Sequence, residues 1–366
     1  MIANRVENYI DNLSKKWYHY GSEQTFNSSF RVKGGAERRK EMILTTEQLK
    51  ELMCGAVRVE EADGYARFCR MSEAQERYYR EKSAFLHKAN ASANVRLATV
   101  TDSASLEFDF RAYAGSSRNF AYFDLYVNGA MVRHCGFEGM ELTSGHLRFD
   151  LGEGKKAVEL YFPWSWRIDV ANVTLDEGCT AEPLKRNRRL LCFGDSITQG
   201  FDNTYPSQSY VSRLARMLDA DEINKGVGGE KFRPELLGSS EGLSPDVITV
   251  AYGTNDWSSL TKEEFARGCS AFCRGVRERY PQAKIFLISP IWRSEPHKTR
   301  NFGAPLEATF DVIRDCCQGL DGVTVINGYG FVPHQKEFFR DMRVHPNDMG
   351  SAQYAEGLYA QIMAAQ

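Results

Sequence analysis

In the second half of the chain, short apolar runs alternate with helical patterns. The apolar runs are 189–193, 222–224, 246–252, 284–288 and 323–326, and the helical patterns are 210–218, 262–279, 306–317 and 352–363. Runs that are apolar on both faces are typical of buried parallel strands. The alternation therefore predicts an α/β fold with a doubly wound parallel sheet.

The first half of the chain has a different pattern. Residues 57–68 carry the turn chemistry of a β-hairpin around Asp63-Gly64, and 72–82 favours a helix. Short alternating runs with turn residues between them fill 94–175, which predicts an antiparallel β-sandwich. Residues 1 to about 55 are polar and partly helical in pattern, and 176–187 is typical of a linker. We therefore expect an N-terminal region with a β-sandwich over 1–180 and a second domain over 181–366.

Composition excludes several classes of protein. The 366 residues are 42% hydrophobic and 26% charged, as in a globular protein, and the net charge of -2 argues against a nucleic-acid partner. Neither a membrane span of about 20 apolar residues nor a signal peptide is apparent, so no membrane partner is expected. The nine cysteines form no Cys-x-x-Cys pair, which favours reduced thiols and a cytoplasmic location. We expect neither a metal nor another cofactor.

Four short segments follow the predicted strands or lie near the C-terminus. They are Gly194-Asp195-Ser196-Ile197-Thr198, Asn224-Lys225-Gly226-Val227-Gly228-Gly229, Gly253-Thr254-Asn255-Asp256 and His345-Pro346-Asn347-Asp348. In open parallel sheets, ligands bind outside the carboxyl ends of the strands, so the topology brings these segments together. A serine hydroxyl, an imidazole base, backbone N–H groups and a carboxamide are the parts of a serine esterase.

Ser196 does not lie in the nucleophile elbow of α/β-hydrolases, because that motif requires glycine where Thr198 stands. The alternative position for a nucleophile is the loop after the first strand, at the start of a helix. Taken alone, Ser196 is better interpreted as a helix N-cap than as a nucleophile. The other three segments favour the catalytic interpretation.

The four segments resemble the four conserved blocks of the GDSL-type esterases, also called SGNH hydrolases, and the resemblance runs from about Arg188 to the C-terminus. It implies a flavodoxin-like three-layer α/β/α fold and hydrolysis of acyl esters. It also implies that Ser196 is the nucleophile and His345 the base. The implied oxyanion hole is formed by the Ser196 and Gly229 N–H groups and the Asn255 amide, with an offset of one to Gly228 left open.

The acid of the triad departs from the family pattern. The family places this acid three residues before the histidine, where this chain has Met342. Asp341, four residues before His345, is the preferred candidate, in a loop with one extra residue, because Pro346 disfavours a helix there. Asp348 and a backbone carbonyl remain alternatives.

Three further residues are candidates for substrate binding. Trp164 follows 161–163 in a stretch that, with 123–126, resembles the jelly-roll-like sandwich preceding the catalytic domain in some GDSL-type carbohydrate esterases. Its ring suits stacking on a sugar, although aromatic packing is an alternative. Trp257 suits the wall of an acyl pocket or the core. Arg293 suits substrate contact or a solvated surface.

Together these features predict a two-domain serine esterase that hydrolyses short acyl esters, preferably acetyl esters of a carbohydrate. Two rival functions remain. One is an acyltransferase that uses the same acyl-enzyme, and the other is a non-catalytic carbohydrate-binding protein on a degenerate hydrolase scaffold. The sequence does not determine the oligomeric state.

Overall fold

The computed structural model describes residues 41–141, 143–237 and 242–365. These residues belong to one compact unit. The expected helical character of residues 1–40 lies outside the described part of the chain. Within the described part, no helix is both long and apolar enough to cross a bilayer.

Strands in the described ranges occur in both halves of the chain. They are β1 (Glu41–Ile43), β2 (Met53–Cys54), β3 (Arg58–Ala62), β4 (Tyr65–Cys69), β5 (Arg96–Thr101), β6 (Ser105–Ala114), β7 (Phe120–Val127), β8 (Ala130–Glu138), β9 (Ser144–Asp150), β10 (Lys156–Tyr161), β11 (Trp166–Asp176), β12 (Ala181–Pro183), β13 (Arg188–Gly194), β14 (Ala220–Asn224), β15 (Val247–Ala251), β16 (Lys284–Ile288) and β17 (Val323–Ile326).

Helices are concentrated in the second half. They are α1 (Thr46–Leu52), α2 (Glu73–Glu81), α3 (Ser83–Ala89), α4 (Ser196–Gln199), α5 (Tyr210–Met217), α6 (Thr254–Ser259), α7 (Lys262–Arg279), α8 (Thr309–Cys316) and α9 (Asp348–Ala364), with 3-10 turns at Pro206–Gln208, Pro234–Leu237, Leu306–Ala308 and Lys336–Phe338. The predicted capping box of α7 is present, because Thr261 accepts from the Glu264 N–H and the Glu264 side chain accepts from the Thr261 N–H.

The first half builds two antiparallel sheets. One has the order β3-β4-β11-β6-β9 with β1 against β11, and the other has the order β12-β5-β10-β7-β8 with β2 against β5. Phe108 and Ile168 from the first sheet share one apolar core with Phe123 and Leu160 from the second. This agrees with the all-β region that the sequence predicts. β12 pairs with β5, so residues 181–183 join a sheet of this region.

The second half builds the expected parallel sheet, in the order β14-β13-β15-β16-β17. Counted from β13, this is the order 2-1-3-4-5 of flavodoxin-like sheets. Helices α5 and α9 pack on one face through Leu214 and Leu358. Helices α7 and α8 pack on the other face through Phe272 and Ile313. The carboxyl ends of the strands therefore lie at one edge, where the four sequence segments meet.

Arg70, at the end of the hairpin β3–β4, connects the antiparallel part to this edge. It is 1% exposed, and its Nη1 donates to the carbonyl oxygens of Asn224 at 2.8 Å and Gly226 at 2.7 Å. Its Nη2 donates to the carbonyl oxygen of Lys88 at 2.7 Å. One buried guanidinium thus fixes the loop after β14 against α3.

Candidate active site

Ser196 lies at the first position of α4, directly after β13. The helix is capped by Asp195, whose Oδ1 accepts from the Ile197 N–H at 2.9 Å. The N-cap role therefore belongs to Asp195, and the Ser196 hydroxyl is not used for capping. Gly194 is required before the turn, since a Cβ there would lie 1.9 Å from Thr198 Oγ1.

His345 brings its ring to this serine from the far end of the chain. Its Nε2 lies 2.8 Å from Ser196 Oγ. The loop that carries it is closed by the bridge between Phe339 and Pro346 and by the Arg340 N–H, which donates to the His345 carbonyl oxygen at 3.0 Å. The imidazole is therefore held by a short, hydrogen-bonded loop.

Asp341 lies behind the imidazole. Its Oδ2 is 2.7 Å from His345 Nδ1, while Oδ1 accepts from the N–H groups of Arg343, Val344 and His345. Burial opposes ionisation, but the hydrogen bond from His345 and the Val344 N–H outweigh it and hold the pKa of Asp341 below its usual range. Because an ionised carboxylate only accepts hydrogen bonds, Nδ1 carries the proton and Nε2 is free to accept from the serine.

The extra residue of this loop is Met342, which adopts a left-handed conformation with φ 55°. That conformation lets Asp341 turn its carboxylate back onto the backbone of the loop. Asp348 is placed elsewhere, since its carboxylate accepts from the N–H groups of Thr204 and Tyr205 at 3.3 Å each. Of the two candidate carboxylates, Asp341 and Asp348, Asp341 is the one that contacts the imidazole.

The predicted oxyanion donors face the same edge. The Gly228 N–H donates to Gln199 Oε1 at 2.8 Å. The N–H groups of Ser196 and Gly229 have no acceptor in the part of the chain that the structure describes. The backbone at Gly229 has φ 90°, a conformation that favours glycine over residues with a side chain. The Asn255 amide nitrogen donates to the Glu230 carbonyl oxygen at 3.0 Å and makes a longer contact of 3.4 Å with Asp195 Oδ2.

Asp202 is a second buried carboxylate beside His345 that the sequence analysis did not identify. Its Oδ2 lies 3.5 Å from His345 Nδ1. Arg118, from the loop between β6 and β7, binds it in a bidentate pair at 2.6 and 2.8 Å. Asp202 also has a positive φ of 70°. Since its partner lies 84 positions earlier, no local pattern marks this pair.

The donor atoms of Asp202, Asp341 and His345 lie within 4.8 Å of one another, a spacing that suits a metal ion. Hydrogen bonding already accounts for this grouping. Arg118 neutralises Asp202, and Asp341 accepts from three backbone N–H groups and from the imidazole. The cluster fits an arrangement that orients the imidazole.

The candidate substrate residues are placed differently from one another. Trp164 is 2% exposed, packs against Phe201 at 4.9 Å and donates to the Asn203 carbonyl oxygen. Trp257 is fully buried and donates to the Ala304 carbonyl oxygen. Neither ring offers substrate an open face in this structure, so the packing alternative holds for both.

Arg293 lies near the Asn255 segment. Its Nη1 donates to Thr254 Oγ1 at 3.0 Å, and its guanidinium lies 5.5 Å from the Trp257 ring. Of the three residues, Arg293 is the one placed beside the site.

Fold and site together define an α/β protein with a serine, a histidine and an aspartate in hydrogen-bond contact at the carboxyl edge of its sheet. Residues 192–353 match the model of the GDSL-like Lipase/Acylhydrolase family. Over these residues the chain is similar to GDSL-like lipases and acylhydrolases, the family that the four segments resemble.

Curated relatives include platelet-activating factor acetylhydrolase IB subunit alpha2 of Homo sapiens and of Rattus norvegicus. Each is 35% identical over 128 residues, which is 34% of this chain and 53% of the relative. The chain spans about half the length of the curated relatives it matches.

Similar solved structures extend over most of the chain. The salicylyl-acyltransferase SsfX3 from a tetracycline biosynthetic pathway has a TM-score of 0.77 at 22% identity, covering 90% of this chain and 98% of that one. A putative GDSL-like lipase from Bacteroides ovatus has a TM-score of 0.68 at 15% identity, covering 89% and 98%. A family two carbohydrate esterase from Cellvibrio japonicus has a TM-score of 0.62 at 16% identity, covering 88% and 97%. At these identities the likeness shows the fold.

Proposed function

We propose that this chain is a serine esterase that hydrolyses short acyl esters through an acyl-enzyme on Ser196. The observation that carries the proposal is the continuous contact from Ser196 Oγ through His345 to Asp341, at 2.8 and 2.7 Å. A serine hydroxyl is a weak nucleophile, and a base within hydrogen-bond reach that is itself oriented by a carboxylate activates it.

In the proposed reaction, Ser196 Oγ attacks the ester carbonyl carbon while its proton passes to His345 Nε2. The carbonyl oxygen becomes an oxyanion, which accepts from the N–H groups of Ser196 and Gly229 and from the Asn255 amide. His345 then protonates the departing alcohol. Water, deprotonated by the same nitrogen, attacks the acyl-enzyme and regenerates the Ser196 hydroxyl.

We propose acetyl esters of a carbohydrate as the substrate class. Acetyl is supported by the names of the curated acetylhydrolase relatives, and carbohydrate by the family two carbohydrate esterase among the similar structures. The antiparallel sheets over β1–β12 are interpreted as a jelly-roll-like sandwich, with a domain division near residue 180. Arg293 is proposed as a substrate contact.

Hydrolysis of 4-nitrophenyl acetate by the protein and its Ser196→Ala variant tests the nucleophile. The variant is expected to lose at least about 10³-fold in kcat, because the triad acts as a unit. Ser144→Ala is a matched control, since Ser144 is exposed on β9. A Ser196→Ala protein as fast as the parent would contradict the assignment.

An acyltransferase is the second candidate, favoured by the salicylyl-acyltransferase that aligns with 90% of this chain. Both reactions use the same acyl-enzyme, and they differ in whether water or an alcohol accepts the acyl group. Adding alcohol acceptors during turnover distinguishes them, because a transferase forms the transfer ester at the expense of free acid. Failure of a fluorophosphonate probe to label Ser196 would instead favour the non-catalytic carbohydrate-binding protein.

A further inference from the structure

Three arginines meet on two loops beside the proposed catalytic residues. Arg293 and Arg300 lie on the loop after β16, and Arg343 lies in the loop that carries Asp341. The two loops are joined where the Ser294 N–H donates to the Arg343 carbonyl oxygen at 2.8 Å. The charges of Arg300 and Arg343 both act on Arg293, so the three guanidinium groups lie near one another.

Arg293 is the buried member of this arginine cluster. It is 8% exposed, and no carboxylate lies within 4.0 Å of its guanidinium in the described ranges. Its hydrogen bond to Thr254 places it one residue from Asn255. Arg300 lies 5.7 Å from the same Trp257 ring that Arg293 contacts. Burial lowers the pKa of Arg293, and the nearby charges of Arg343 and Arg300 lower it further, while the carboxylates of Asp195 and Asp341 raise it in part.

A buried cation is costly, and like charges nearby add to the cost, which Asp195 and Asp341 offset only in part because neither forms an ion pair with Arg293 within 4.0 Å. Hydrogen bonding within the protein uses only part of the guanidinium, which has five N–H donors. Arginine forks match the geometry of carboxylate and phosphate groups. The arrangement is therefore complementary to an anion brought in by another molecule.

An open cavity of 610 Å³ is lined by Arg300 and Arg343 of the cluster and reaches Asp341, while Arg293 lies outside its lining. Glu295 is already paired with Lys298 and Arg300, and Asp341 is engaged by the imidazole. The basic side chains that line the cavity outnumber the acidic ones, so its net charge is positive. Its charged lining residues are Glu295, Lys298, Arg300, Lys336, Asp341 and Arg343.

We propose that the ester substrate carries an anionic group, a carboxylate or a phosphate, which Arg300 and Arg343 bind in this cavity, with Arg293 adding its positive charge, while the substrate carbonyl lies at Ser196. This inference rests on the proposed esterase function and specifies its substrate class. The anion belongs either to the alcohol part, as in an acetylated acidic or phosphorylated sugar, or to the acyl part.

Matched ester pairs test the inference and separate the two sources. For the alcohol part, 4-acetoxybenzoate is compared with the neutral 4-acetoxybenzamide. For the acyl part, 4-nitrophenyl hydrogen adipate is compared with 4-nitrophenyl hexanoate. In at least one pair, kcat/KM for the anionic ester is expected to exceed that for its neutral partner by about tenfold or more at low salt, and salt should narrow the difference. That pair identifies which part carries the anion.

The double variant Arg300→Gln/Arg343→Gln should remove this preference, mainly through KM, so that kcat/KM falls much more for the anionic esters than for the neutral ones. Arg314→Gln is the matched control, because Arg314 is an exposed arginine on α8 that pairs with Asp311 and Asp315. Wild-type protein that hydrolyses neutral esters with no preference for either anionic one overturns the substrate class and leaves the esterase intact. Equal loss on neutral and anionic esters in the double variant also overturns it. Wild-type protein that hydrolyses no ester overturns the esterase and this inference with it.

Discussion

Asp341 has two roles at the scale of a single residue. One carboxylate oxygen accepts hydrogen bonds from three backbone N–H groups of its own loop, and the other accepts from the imidazole. The same side chain therefore shapes the loop and orients the imidazole of His345. The positive φ of Met342 is what accommodates the additional residue between acid and histidine.

Asp341→Asn is expected to lower kcat by about 10³–10⁴-fold, as loss of the orienting acid does in serine proteases. The side-chain amide of the introduced asparagine would favour the wrong imidazole tautomer. Its oxygen could still accept from the loop N–H groups, so the loop would stay partly intact. Asp202→Asn is the comparison, because Asp202 is farther from Nδ1 and already paired with Arg118. Steady-state kinetics that show the larger loss in Asp202→Asn would assign the acid to Asp202 instead.

The buried carboxyl of Asp256 leads to a prediction of how the stability of the fold depends on pH. Burial raises its pKa to about 7, and its Oδ1 accepts from the Phe232 N–H. A carboxyl whose pKa is higher in the folded state stabilises the fold below its unfolded value near 3.8 and loses that contribution as pH rises through about 7. Asp256→Asn should therefore flatten the fall in unfolding free energy between pH 4 and pH 8, by at most about 4 kcal/mol.

Chemical denaturation at several pH values measures this effect. Asp63→Asn serves as the control, since Asp63 is exposed in the β3–β4 turn and should leave the pH dependence as it is. If the unfolding free energy of Asp256→Asn depends on pH as steeply as that of the parent protein, the Asp256 carboxyl of the parent titrates near its ordinary range.

At the scale of an element, α3 shapes the predicted oxyanion hole although it precedes the hydrolase domain by about a hundred residues. Lys88 Nζ donates to the Gly228 carbonyl oxygen at 2.9 Å. That carbonyl belongs to the same peptide group as the Gly229 N–H, so the ammonium polarises the donor that is expected to face the oxyanion. Phe85 lies beside Lys88, since a Cβ on Gly229 would be 3.3 Å from the Phe85 ring and 3.8 Å from Lys88 Nζ.

Lys88→Met should lower kcat about 3- to 30-fold, or about 0.7–2 kcal/mol of transition-state stabilisation. KM should change little, because the oxyanion forms only in the transition state. Lys88→Arg should recover part of the loss, and Lys82→Met, an exposed lysine between α2 and α3, should have no effect. A change in KM alone would indicate a role in substrate binding rather than in the oxyanion hole.

At the scale of the whole molecule, the antiparallel sheets and the parallel sheet are joined by buried charges. Arg96 on β5 is fully buried and pairs with Glu159 on β10 and with Asp221 and Glu222 on β14. Asn94 donates to Ser212 on α5 at 2.8 Å. We therefore expect the two parts to unfold together.

Arg96→Met should lower the free energy of unfolding by about 3–5 kcal/mol, because it leaves Glu222 buried without its cation. Calorimetry should show one transition at a lower Tm. Arg111→Met, which removes an exposed pair with Asp63, should cost less than about 1 kcal/mol. Two separate transitions, of which only one shifts, would contradict the expected cooperativity.

The elements were largely predictable because their signals are local. Apolar runs placed β16 and β17 at the bounds found, the capping residues of α7 marked its start, and Asp63-Gly64 marked the hairpin turn. Trp164 and Trp257 were less predictable, because an aromatic side chain has the same local pattern whether it packs inside or lines a cleft.

Sequence alone determined the alternation of strands and helices in the second half, the four segments that follow those strands and the candidates Ser196 and His345, since periodicity, turn chemistry and motifs are read from neighbouring residues. The tertiary structure decided which carboxylate meets the imidazole, which glycine N–H remains available, and that Arg118 and Lys88 support the site. Those contacts join residues far apart in the chain, and only the packing of the antiparallel sheets against the parallel sheet brings them within hydrogen-bond distance.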